Sequence, residues 1–88
     1  MDAEKSITEN IENVTLKQIR GLVPFSDLHN FSEKVRELLD FSSVKFYHKL
    51  SNRTPLSRAE KILLMKFFNS YKQDPAKFFA STIAEYSN

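Results

Sequence analysis

Apolar residues along the chain recur at intervals of three and four, and no alternation of apolar and polar positions is long enough to mark a strand. The pattern therefore predicts an all-helical chain. Ile7, Ile11 and Val14 share one helical face. They follow Ser6 with Glu9 and precede Thr15 with Gln18, each pair spaced as a capping box in which hydroxyl and third-residue side chain satisfy each other's backbone N–H. A first helix, broken near Thr15, should end by Val23 at "GLVP". Ser26 or Asn30 is placed to cap a second helix with Phe31, Val35, Leu38 and Leu39 on one face, ending at Asp40. In "SSVKFYHKLSN", Val44, Phe46, Tyr47 and Leu50 suggest a short helix from a serine cap. "NRTP" stops it, because Pro55 disfavours helical geometry at Thr54.

Ser57 with Glu60 is the clearest capping box, opening a helix to about Tyr71 whose run "ILLMKFF" is apolar on more than one side. Such a helix is either the central core element or covers a partner as well. Asp74 and Pro75 read as cap and first position of a last helix with Phe78, Phe79, Ile83 and Tyr86 on its apolar face. Four or five helices result, in one domain over residues 1–88. A chain of this length buries only about 60 to 65% of its unfolded surface, which leaves little room for an enclosed active site.

Composition narrows the function classes. There is no cysteine, hence no disulfide framework and no thiolate nucleophile or metal ligand. The start "MDAEKSITEN" lacks the basic and apolar regions of a secretory signal, and a cytoplasmic location is expected. The longest apolar run, "ILLM", is far shorter than the roughly 20 residues that span a bilayer, so no membrane partner is expected. His29 and His48 lie in different segments, and no carboxylate keeps metal-ligand spacing with either. One glycine excludes a glycine-rich phosphate loop. No enzyme activity, metal or cofactor is expected.

Charge changes the picture more than its net value of +2 suggests. Residues 1–42 hold five Lys or Arg against eight Asp or Glu. Residues 43–73 hold seven, Lys45, Lys49, Arg53, Arg58, Lys61, Lys66 and Lys72, against Glu60 alone. A basic middle third is what a polyanion-binding face looks like in sequence, although a solvated basic surface has the same composition.

The stretch "LDFSSVKFYHKL" gives that charge a shape. A helix-turn-helix unit needs an apolar residue closing one helix, a tight turn, a second apolar residue, a small polar cap and a short helix. Leu39, Asp40, Phe41, Ser42 and the helix from Ser43 fill these roles in order. Phe46 and Leu50 would anchor that helix and leave Ser43, Val44, Tyr47 and His48 outward. The segment resembles the Cro and phage-repressor-like helix-turn-helix family, with the unit itself near residues 32–51. Many bacterial members of that family read leucine, glycine, aliphatic, serine, and then a helix ending in aromatic, aromatic, basic, lysine, leucine, which "FYHKL" matches. "NRTP" and the capped helix "LSRAEKILLMKFF" extend the resemblance over about residues 32–68. Asp40 stands where the family has its turn glycine, and aspartate tolerates a left-handed conformation. Arg36 stands where a small residue usually lets the two helices cross.

The resemblance implies a transcriptional regulator that binds double-stranded DNA, and helix-turn-helix proteins commonly do so as homodimers on two half-sites; the aromatic residues of the last two helices are expected to pair the copies. Ser42, Ser43 and Val44 would sit at the mouth of the major groove, with Val44 able to touch a thymine methyl. Tyr47 and His48 would reach bases or sugars, while Lys45, Lys49 and Arg53 would neutralise phosphates. A different class remains open from the residues themselves. Phe67, Phe68, Phe78, Phe79 and Tyr86 exceed what a core of this size obviously needs, and such a patch fits a helical protein-binding module. Small basic bundles of that kind include bacteriocin immunity proteins and phage-encoded inhibitors of host factors.

Overall fold

Capping chemistry starts most of the helices. In the computed structural model, which describes residues 11–86, a 3₁₀ turn at Ile11–Asn13 leads to α1, Leu16–Gly21. The Gln18 N–H donates to Thr15 Oγ1 at 3.2 Å and the Thr15 N–H donates to Gln18 Oε1 at 3.0 Å, so both halves of this capping box form. The expected box at Ser6 and Glu9 lies outside the described residues. Four further helices follow: α2, Phe25–Leu39; α3, Ser43–Leu50; α4, Arg58–Gln73; and α5, Pro75–Ala80. Ser42, Ser57 and Asp74 cap the last three through their side chains.

α2 starts earlier than its polar residues suggest. Its N-cap is Pro24 at φ −55°, whose carbonyl accepts the Asp27 N–H at 3.0 Å, and Ser26 and Asn30 lie within the helix rather than before it. No side chain caps this end; the Pro24 carbonyl takes up the Asp27 N–H of the first turn instead. At the other end Asp40 adopts the left-handed conformation, φ 56° and ψ 45°. The Phe41 N–H reaches back to the Arg36 carbonyl at 3.0 Å and the Asp40 N–H to the Glu37 carbonyl at 3.3 Å. This pairing satisfies two terminal carbonyls and turns the chain sharply. α3 ends by the same device: Asn52 sits at φ 63° and the Arg53 N–H bonds the His48 carbonyl at 3.0 Å.

The core forms around α4, whose Leu64, Met65, Phe67, Phe68 and Tyr71 are buried. Phe31 of α2 meets Phe68, Tyr71 and Phe78 with ring centroids 6.4, 5.4 and 5.6 Å apart. Val14, Leu16, Ile19, Val35, Leu38, Phe41 and Leu56 close the same cluster. Each such side chain contributes about 1.5 to 3 kcal/mol of hydrophobic stabilisation when fully buried. The aromatics of the last two helices are therefore no surplus. Phe67, Phe68 and Phe78 are buried, and Phe79 and Tyr86 are half-buried against the core.

The last helix is shorter than its apolar spacing predicts. The Lys34 ammonium of α2, itself buried, donates to the Ser81 carbonyl at 2.5 Å, and Ser81 Oγ donates to the Phe78 carbonyl at 2.6 Å. Side-chain groups thus take up backbone partners that would continue the helix. The chain resumes as a 3₁₀ turn at Ile83–Tyr86, with Ile83 41% exposed rather than on the core face. No helix among the described residues is long and apolar enough to cross a membrane.

Candidate nucleic-acid interface

The turn at 40–42 determines what α3 shows to solvent. Asp40 reverses the chain, buried Phe41 pins it to the core, and Ser42 Oγ accepts the Lys45 N–H at 3.1 Å to start α3. Phe46 and Leu50, four residues apart, pack against the core. The opposite side is left outward by helical geometry. Ser43 and Lys45 are exposed, Val44 is 65% and Tyr47 62% exposed, and His48 is half-buried. Two large side chains with substantial apolar surface are thereby held in water on one short helix.

The cations divide into two kinds. Lys45 is exposed with its Nζ 5.0 Å from the centroid of the Phe41 ring, and Arg53 is exposed in the loop beyond Asn52. Lys49 departs from the expected phosphate contact. Its side chain is only 11% exposed, and its ammonium donates to the Pro55 carbonyl at 3.0 Å and to Glu60 Oε1 at 3.3 Å. Lys49 thus ties α3 to the start of α4 instead of facing outward. Burial works to raise the Glu60 carboxyl, but the Ser57 N–H and the Lys49 ammonium together hold it below its ordinary value of 4.5.

Arg36, which the resemblance places where the two helices cross, turns along its own helix to Glu33, Nη1 to Oε2 3.1 Å. The bend leaves its Nε buried without a hydrogen-bond partner. Beyond the basic stretch of the sequence, Lys17 and Arg20 of α1 lie on the flank of α3 that carries Tyr47. Among the described residues, no three His, Asp or Glu side chains come together as a metal-ligand set. Compared with models of known protein families, with curated proteins and with solved structures, the chain matches none of them.

Proposed function

We propose that the protein binds double-stranded DNA through α3 in the major groove and acts as a transcriptional regulator. The observation that carries this reading is the exposure of Val44 and Tyr47 on a short helix set by a left-handed turn. A helix of eight residues fits a groove about 12 Å wide, and its outward residues suit the chemistry found there. Val44 offers a methyl surface to thymine, Ser43 and Tyr47 offer hydroxyls to base edges or phosphate, and Lys45 and Arg53 supply cations beside them. One such helix reaches only a few base pairs. A second copy of the chain on a half-site about one helical turn away would supply the remaining specificity.

Fluorescence anisotropy of random-sequence duplex against salt tests the reading. Non-specific binding in the micromolar to sub-millimolar range near physiological salt is expected, with log affinity falling steeply as log salt rises. Arg53→Ala should weaken all duplexes alike. On a selected operator, Tyr47→Ala should reduce discrimination by about 1 to 3 kcal/mol. No binding even at about 50 mM salt would rule DNA out and turn attention to a protein partner.

A further inference from the structure

α3 stands between flanks of opposite charge. Toward the turn, Glu33, Glu37 and Asp40 line a hollow with Arg36 and Phe41, and Arg36 there is already paired to Glu33. Toward the other end of α3, a cleft of about 500 Å³ opens against α1, lined by Lys17, Arg20, Tyr47, Leu50, Ser51 and Asn52 among others, with no acid in its wall. Its two cations differ in character. Lys17 is exposed, whereas Arg20 is half-buried and its Nε donates to the hydroxyl of buried Ser32 at 2.8 Å. A guanidinium held through Nε is oriented in advance, and its terminal amino groups retain the planar fork that suits a phosphate.

We propose that this cleft takes the sugar–phosphate backbone of one DNA strand beside the groove occupied by α3. Lys17 and Arg20 sit on phosphates, Ser51 and Asn52 supply further polar contacts, and the ring of Tyr47 forms the wall toward the groove, its hydroxyl left to the base edges. The inference rests on the DNA-binding reading of α3 and adds which side the backbone takes. Charge decides that side. A strand on the turn flank would meet three carboxylates, Glu33 and Glu37 paired to Arg36 and Lys34 and Asp40 beside them, whereas a strand in the cleft meets two cations, no acid and an aromatic wall.

The test is the slope of log affinity against log salt for random-sequence duplex, measured for wild type, Lys17→Ala, Arg20→Ala and the remote control Lys77→Ala. Each phosphate contact contributes about 0.9 to the slope. Lys17→Ala and Arg20→Ala should each make it shallower by about 1, for every sequence alike, and Lys77→Ala should leave it unchanged. Arg20→Ala also removes the bond to Ser32, so exposed Lys17 gives the reading independent of folding. A steep wild-type slope that Lys17→Ala does not alter overturns the cleft while leaving α3 as the reading helix. Absence of wild-type binding overturns both.

Discussion

Asp40 does what the position asks of it at a conformational cost. Left-handed geometry costs most L residues roughly 1 to 2 kcal/mol, and aspartate is among the few that visit it readily. A β-branched side chain has no such tolerance. Asp40→Val is therefore expected to lower stability by about 1 to 2 kcal/mol and Asp40→Gly to lower it little or not at all, as read from urea midpoints; equal losses would show that φ 56° is not what limits this site. Tyr71 supplies a second residue-scale expectation. Burial first, then the hydrogen bond and charge of Asp27, 2.5 Å from its hydroxyl, push the phenol up to about 12. The folded state thus favours the neutral phenol relative to the unfolded chain, where tyrosine ionises near 10. This stabilisation is intact below about pH 10 and is lost as pH rises through about 12. Between those values wild type should lose more of its urea midpoint than Tyr71→Phe does, and parallel curves would refute the assignment to Tyr71.

At the scale of elements, most of what was legible in the sequence was local. The boxes at Thr15 and Ser57 and the cap at Asp74 act within four residues, so short spacings reveal them. The outward placement of Ser43, Val44 and Tyr47 was legible for the same reason, since helical period alone separates them from Phe46 and Leu50. Contacts between distant segments were not. The end of α5 depends on Lys34, 47 residues away from Ser81. Lys49 looks like any surface lysine until the chain folds and brings Glu60, eleven residues on, to its ammonium. Removing that lysine leaves a half-buried carboxylate unpaired, a case between an exposed ion pair and a buried one. Lys49→Ala should cost about 1 to 2 kcal/mol near neutral pH. Because the Glu60 carboxyl is lowered, the contribution is present above its ordinary range and fades as pH falls below it. Urea titrations at neutral pH and near pH 3 should therefore differ in the size of the Lys49→Ala effect, and an effect independent of pH would mean that lost packing, not charge, explains it.

For the whole molecule, a net charge of +2 hides the arrangement that matters. Counting charge along the sequence places Lys17 and Arg20 in the acidic first half, residues 1–42, yet the fold sets them beside the C-terminal half of α3 and leaves Glu33, Glu37 and Asp40 on the turn side. Of the aromatics that suggested a second interface, Phe67, Phe68 and Phe78 are buried in the core and Phe79 and Tyr86 are half-buried against it. This leaves Phe25, Ile62 and Ile83 as the large apolar side chains exposed outside α3 among the described residues.

The Lys49 tether also bears on the heat of association. On the proposed DNA-binding reading, an α3 already fixed to α4 by its lysine, and to the core by Phe46 and Leu50, need not fold as it docks. The heat-capacity change on binding duplex should then reflect surface desolvated at the contact alone, without the large negative excess that accompanies ordering of a segment. Titration calorimetry over a range of temperatures reads that quantity. Loosening the tether with Lys49→Ala should make the change more negative, because part of α3 would then become ordered only on the DNA.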